Sequence, residues 1–161
     1  MTIENICDGD VAACLSIYGY YITDTCVTCE EAIPSLAEFT ERVKRITAKY
    51  PFLVAKENGK VIGYAYLDAF NPRSAYRITA DLSIYLDKDC TRHGTGTALY
   101  REIENLARAQ GVENIISIIT ATNENSIRFH EKNGFSCVGT LENVAIKFGQ
   151  PLSVKYYQKR I

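Results

Sequence analysis

Cys90-Thr91-Arg92-His93-Gly94-Thr95-Gly96-Thr97 places two glycines among hydroxyl side chains, directly after the apolar alternation Leu82, Ile84, Leu86 and directly before helix-forming sequence that runs to Gln110. A strand that enters a helix through a glycine-rich turn gathers unpaired N–H groups and the positive end of the helix dipole at one point. Such a point binds phosphate. The pattern is not the dinucleotide fingerprint, because GxGxxG is incomplete, and it is not a Walker loop, because no Gly-Lys-Ser/Thr follows. A second pattern, Cys26-Val27-Thr28-Cys29, has the spacing of half a zinc site or of a redox pair. Zinc needs two more ligands, and the chain has 2 histidines, no second CxxC and no HxxxH, so no metal is expected.

The elements that must position the glycine turn follow from hydrophobic spacing. Thr2 to Cys7 reads as a short strand. Asp8 or Asp10 caps a helix whose Val11, Cys14, Leu15 and Tyr18 form one stripe. Tyr20 to Ile33 has no sustained period and reads as an irregular loop, with Glu30-Glu31 either facing a ligand or simply solvated. Ser35-Leu36-Ala37-Glu38 is a capping box opening a second helix, with Leu36, Phe39, Val43, Ile46 and Tyr50 apolar and Pro51 ending it. Phe52 to Glu57 and Lys60 to Leu67 are strands joined by Asn58-Gly59, a hairpin signal. Phe70 to Arg77 reads as a loop, and Ile78 to Leu86 as the long strand that leads into the glycine turn. Beyond it, Leu99, Ile103, Leu106, Ala107 and Gln110 share a helical face that Gly111 closes. The apolar run Ile115 to Ile119 predicts a buried central strand. Asn123 caps a short helix through Asn133, and Phe135 to Val144 and Val154 to Gln158 read as final antiparallel strands. The order predicts one mixed α/β domain over residues 1–161, with a parallel join around the Gly94 helix.

Composition narrows the partners. With 18 Lys+Arg against 19 Asp+Glu, the net charge of −1 gives no bulk attraction to nucleic acid or anionic membrane. No apolar run approaches the roughly 20 residues of a membrane span, and the first ten residues lack the layout of a signal peptide. The expectation is a cytoplasmic protein whose 6 cysteines stay reduced, with neither nucleic acid nor membrane as partner.

Arg92-His93-Gly94-Thr95-Gly96, followed by Thr97-Ala98-Leu99-Tyr100, resembles the acetyl-CoA pyrophosphate loop of the GCN5-related N-acetyltransferase (GNAT) superfamily. The likeness extends to Tyr20-Tyr21-Ile22, Thr28 to Phe39, Tyr50 to Val54, Gly63-Tyr64-Ala65, Ala75-Tyr76-Arg77, Ser83 to Leu86, Ala109 to Gly111, Asn123 to Phe135 and Lys147-Phe148-Gly149. Together these are similar to the phosphinothricin and methionine sulfoximine N-acetyltransferases. The resemblance implies a central mixed, mostly antiparallel sheet flanked by helices, with acetyl-CoA as co-substrate. It implies that Arg92, His93, Gly94, Thr95, Gly96 and Thr97 cradle the pyrophosphate, although Thr91 stands where the family usually has Gln or Arg. It further implies that the strand of Ile84, Tyr85 and Leu86 offers backbone groups to the pantetheine arm, with Asn123 and Ser126 also near the cofactor. A pure capping role is the rival reading for the last two.

Asp81 stands where related enzymes usually carry a glutamate proposed as general base. A carboxylate beside an apolar strand has reason to hold its proton at higher pH. Its side chain is one carbon shorter, which favours a water relay, and a solvated acid at a strand edge is the alternative. His130 matches a family position that holds His or Tyr. It would protonate the leaving thiolate or position groups around it, against the alternative of a packed helix histidine. Glu30, Arg73, Tyr76 and Arg77 resemble substrate-facing loops, where a cation would pair with an amino acid carboxylate. Phe148-Gly149-Gln150-Pro151-Leu152-Ser153 departs from the subgroup by lacking its Trp and Asp.

The implied activity is direct transfer of an acetyl group to the primary amine of a small amino acid or analogue, without an acyl-enzyme. Peptide or protein N-terminal acetylation is a second reading, and a CoA-binding module without catalysis is a third. Relatives of the subgroup are commonly homodimers. Tyr156-Tyr157 suits such an interface or the monomer core equally.

Overall fold

Asn58 (φ 50°) and Gly59 (φ 78°) reverse the chain through the left-handed region, which lets the strands on either side pair at once. In the computed structural model of the protein, which describes residues 1–90 and 94–161, these strands are β2 (Phe52–Glu57) and β3 (Lys60–Ala69). Before them come β1 (Thr2–Asn5), α1 (Val11–Thr23) and α2 (Leu36–Thr47). After them come β4 (Thr79–Leu86), α3 (Thr95–Ala109), β5 (Asn114–Thr120), α4 (Glu124–Lys132), β6 (Ser136–Lys147) and β7 (Gln150–Arg160).

Among the described residues the strands form one seven-stranded sheet in the order β1-β2-β3-β4-β5-β7-β6. Only β4 and β5 are parallel, because α3 carries the chain back between them. One face buries Val54, Tyr64 and Phe52 against Cys14, Tyr18 and Ile22 of α1 and Phe39, Val43 and Ile46 of α2. The other buries Ala65, Leu67, Leu82 and Ile115 against Leu99, Ile103 and Ala107 of α3. Period-two alternation along β3 and β4 sorts side chains between these two layers.

Two expectations are corrected. Tyr20 to Thr23 continue α1 rather than opening a loop, since Ile22 is fully buried and Tyr21 Oη donates to Leu86 O at 2.7 Å; packing overrides weak helix propensity. The last two strands are longer than their apolar patterns, and Phe148 (φ 50°) and Gly149 (φ 72°) turn tightly between them. A register shift between Leu141 and Ala145, with Asn143 at φ 53°, breaks the alternation that would have revealed the length. Within the expected loop Phe70 to Arg77, Ser74–Ile78 forms a short 3-10 turn.

Candidate active site

β4 and β5 share three parallel pairs, Thr79 with Asn114, Ala80 with Ile115 and Asp81 with Ile116, and then part. From there β4 stays with β3 as far as Leu86, while β5 stays with β7 as far as Thr120. Asp87 N–H donates to Ile62 O at 2.9 Å, so the alternate residues Leu86, Ile84 and Leu82 turn their own N–H and C=O groups away from β3, toward the side that β5 has left. Tyr85 has the opposite parity: its backbone faces β3, and its ring packs between Tyr18, Tyr21 and Tyr64. Among the described residues three buried polar atoms lack a hydrogen-bond partner, Asp81 Oδ1, Ser117 Oγ and Thr120 Oγ1. All three lie on these two strands, at the parting or past it. A buried polar atom left unpaired costs about 1–3 kcal/mol. Asp81 and Thr120 share the face of Ile116, whereas Ser117 has the opposite parity and lies with Ile115 and Ile119.

Asp81 sits directly opposite Asp68 of β3. Burial, and then the charge of Asp68, push its carboxyl up to about 7. Asp68 differs because Arg45 of α2 grips both its oxygens, at 2.8 and 2.7 Å, and Ala69 N–H donates to it. Burial opposes its ionisation, but these donors prevail and hold it below the usual carboxylate range.

Gly94 caps α3 with φ 77° and no side-chain bond, and no acidic residue occupies the first turn. The first intrahelical bond runs from Ala98 N–H to Gly94 O, so the N–H groups of Thr95, Gly96 and Thr97 have no carbonyl within the helix. A Cβ on Gly96 would stand 3.4 Å from the Phe129 ring and 3.5 Å from the Leu86 side chain, ordinary contact distances, so α3, α4 and β4 meet at this point. Arg92 and His93 lie outside the described residues.

Asn123 caps α4 by accepting from Ser126 N–H through Oδ1 at 3.2 Å. His130 is buried on the same helix. Its Nδ1–H donates to Ser126 O at 2.8 Å, with Ser126 Oγ at 3.2 Å, and its ring stands edge-on to Phe129 and Phe135. Burial lowers its pKa against the opposing pull of the Ser126 carbonyl, so the ring is neutral at physiological pH. The structure therefore places Asp81 at the cleft and His130 in an aromatic cluster.

On the acceptor side the expected residues separate. Glu30 is held by both guanidinium nitrogens of Arg42, at 3.1 and 2.6 Å, which lowers its pKa. Arg73, Tyr76 and Arg77 are exposed on the 3-10 turn and its approach, with Tyr76 packed on Phe70. Lys147, which spacing did not single out, is 1% exposed and donates from Nζ to Thr28 O at 2.7 Å and Tyr21 O at 3.4 Å. It ties the β6–β7 hairpin to the segment between α1 and α2.

The family model described as an acetyltransferase (GNAT) domain matches residues 3–153. The chain belongs to the GNAT acetyltransferase family. A phosphinothricin N-acetyltransferase of Streptomyces viridochromogenes is 31% identical over 150 residues, 93% of this chain and 82% of the relative. The crystal structure of a GNAT phosphinothricin acetyltransferase from Sinorhizobium meliloti in complex with AcCoA matches with a TM-score of 0.95 and 34% identity, covering 99% of this chain and 88% of that one. A ribosomal-protein-alanine N-acetyltransferase from Brucella melitensis matches with a TM-score of 0.97 and 31% identity over the whole of both chains. GNAT membership gives the cleft a ligand to be tested against. An uncapped helix N-terminus suits a pyrophosphate, and a strand edge without a strand partner suits the amides of an extended arm. The residues present fit a CoA thioester.

Asp68, Arg42, Arg45 and Lys147 are the side chains that sequence spacing passed over. A signal existed for Asp68, which shares the parity of Tyr64 and Tyr66 and so lies on the same face as Asp81. Arg42, Arg45 and Lys147 are long side chains joined to partners at least 12 residues away, which periodicity does not detect.

Proposed function

We propose that the protein is an acetyl-CoA-dependent N-acetyltransferase that acetylates the primary amine of a small amino acid or amino-acid analogue of the phosphinothricin and methionine sulfoximine kind. The observation that carries the reading is the parting of β4 and β5 with the unpaired Asp81 carboxyl at its apex and the unpaired Thr120 hydroxyl further along the same face of β5. The names of the relatives support the acceptor class. Acetyl-CoA supplies the acyl group as a thioester. The N–H groups of Thr95, Gly96 and Thr97 hold the phosphates, the Ile84 and Leu86 backbone groups orient the arm, and Asn123 Nδ2 remains free of the cap to donate to it. Asp81 takes the proton from the acceptor's ammonium group, directly or through a water, so that the nitrogen lone pair becomes available. With Nδ1–H committed to Ser126, His130 carries its lone pair on Nε2, so its part is to fix α4 rather than to give up a proton. Tyr76 and Arg77, with Arg73, stand at the acceptor entrance, where a guanidinium would meet a carboxylate.

The protein works in the cytoplasm, where its six free thiols are stable, and as a homodimer. Support for the second copy comes from β6, an edge strand of 12 residues that exposes Val138, Leu141, Val144 and Ile146.

The deciding experiment measures thiol release from acetyl-CoA across phosphinothricin, methionine sulfoximine, the common amino acids, a peptide beginning with alanine, and polyamines. Release stimulated by the analogues or small amino acids is the expected result. Stimulation by the peptide alone moves the acceptor to protein N-termini, and tight CoA binding without any stimulation makes the chain a binding module.

A further inference from the structure

We propose that Asp68 and Arg45 are positioning residues for the transfer reaction, acting through Asp81: Asp68 keeps the facing carboxyl able to hold a proton, and Arg45 limits that effect by neutralising Asp68. The inference rests on the reading of Asp81 as the proton acceptor.

Three observations carry it. Asp68 and Asp81 are directly opposed in the β3–β4 ladder, which puts their Cβ atoms roughly 4.5–5.5 Å apart on one face of the sheet. Arg45 holds Asp68 in a two-point fork and is itself exposed, so this charge pair opens toward solvent while Asp81 Oδ1 is sealed and unpaired. Around Asp81 the neighbouring groups are otherwise uncharged. β5 presents Ile116, β3 adds the neutral phenol of Tyr66, and β4 itself adds Ser83 and Tyr85. From α2 come Arg45 and, more distantly, Arg42, and both act on Asp68 rather than on Asp81.

A lone buried carboxylate would be tuned by burial alone. A second carboxylate across the ladder adds a repulsion that is adjustable, because its partner cation lies at the surface. Two like charges at this spacing, with effective dielectric constants of 20–40, interact strongly enough to move a proton equilibrium by about 0.5–1 pH unit after partial neutralisation.

The test follows the pH dependence of kcat at saturating acceptor, together with a ¹³C NMR titration of the aspartate side-chain carboxyls that needs no turnover. Asp68→Asn is expected to move the acid limb and the Asp81 titration down by about 0.5–1 unit, because a negative charge is removed and Arg45 is left unpaired. Arg45→Met is expected to move both up by a similar amount, because Asp68 is no longer neutralised. Thermal melts of each variant establish that it is folded. If neither substitution moves the Asp81 titration, the coupling does not exist and the inference is overturned. Asp81→Asn separates the underlying reading: an active Asp81→Asn enzyme removes Asp81 from the reaction, whereas the NMR titration of the parent and the two coupling variants still reports whether Asp68 and Arg45 act on it.

Discussion

Asp81 on β4 and Ile116 on β5 are the last pair that the two parallel strands share. Everything chemical in the molecule is arranged around that point. Before it, the ladder is closed and a polar side chain would meet only backbone and core. Past it, among the described residues, β4 keeps β3 and β5 keeps β7, each with one edge that pairs with no strand, and on the β4 edge Leu86 O accepts from Tyr21 Oη.

Replacing the apex group tests its role. Asp81→Asn is expected to lower kcat by roughly 10²–10⁴-fold, with acetyl-CoA affinity changed less than about threefold, measured by steady-state kinetics and titration calorimetry. In the parent enzyme, kcat should rise with pH through about 7 and level off above, because the proposed proton acceptor is the ionised form of this carboxyl. Stability moves the other way. The folded carboxyl titrates near 7 and the unfolded one near 3.8, so below 3.8 both states are protonated and burial carries no ionisation penalty. Between 3.8 and 7 the unfolded chain loses its proton first, and stability falls by up to about 1.4 kcal/mol per pH unit. Asp81→Asn should therefore melt higher than the parent at pH 8 and no higher at pH 3.5. An equal difference at both values would mean that the gain has nothing to do with charge.

Gly94 couples two requirements, a φ of 77° and a place beside the uncapped N-terminus of α3. Gly94→Asp adds a Cβ where L-residues are strained by about 1–2 kcal/mol and brings a negative charge to the anion position. Acetyl-CoA should bind at least tenfold more weakly, while Gly94→Asn, which tolerates the left-handed region, should lose less. Equal losses in the two variants would assign the effect to backbone strain alone.

How far the sequence reached depended on the range of the interaction. The Asn58-Gly59 turn, the Ser35–Glu38 box and the Gly94 helix are encoded within a few residues, and each forms where local chemistry puts it. Asp81 was legible as a place in a pattern, but its facing partner Asp68 is thirteen residues away across a turn and becomes visible only once register is fixed. Glu30 reads from the sequence as a loop carboxylate facing a ligand or solvent, and its pairing with Arg42 is hidden because a loop carboxylate and a helical guanidinium 12 residues apart share no period. The far ends of β6 and β7 were hidden for another reason: the bulge around Asn143 shifts the alternation, and Phe148 turns the chain without the usual asparagine or glycine at that position.

His130 is held by its own helix and by two phenyl rings, which identifies what its loss would damage. His130→Ala should lower unfolding free energy by about 2–4 kcal/mol in urea melts, in line with emptying a buried aromatic site. At a temperature where the variant is folded, kcat should remain within about tenfold of the parent, and the pH profile should keep the same limbs. A pH profile of changed shape in a folded His130→Ala enzyme would restore a proton-transfer role to the imidazole.

Lys147 is a buried ammonium whose hydrogen bonds go to two carbonyls, those of Thr28 and Tyr21. Lys147→Met keeps the volume but leaves Thr28 O unpaired, while Tyr21 O keeps its bond from Thr25 Oγ1, a loss of about 1–3 kcal/mol in stability. Because the shorter bond ends on Thr28, between α1 and α2, residues 24–35 should be cleaved faster in limited proteolysis. KM for the acceptor should rise several-fold while KM for acetyl-CoA holds. A rise in both constants would place the tether at the cofactor instead.

The edge strand β6 has no neighbour on its outer side, and its Ile146 is 70% exposed while Val144 beside it is 53% exposed. A long apolar edge left bare invites pairing with another strand, and in a symmetric dimer each copy covers the other's edge. Ile146→Lys places two like charges near one another across such an interface and removes apolar area from both sides. Analytical ultracentrifugation should show the parent as a dimer at micromolar concentration and the variant shifted toward monomer by at least tenfold in dissociation constant. The melting temperature of the variant, extrapolated to low protein concentration, should match the parent, because an exposed side chain contributes little to the fold of its own chain. A dimer undisturbed by Ile146→Lys would mean that the second copy sits elsewhere, and Val138→Lys on the far half of the same strand would then show whether β6 takes any part.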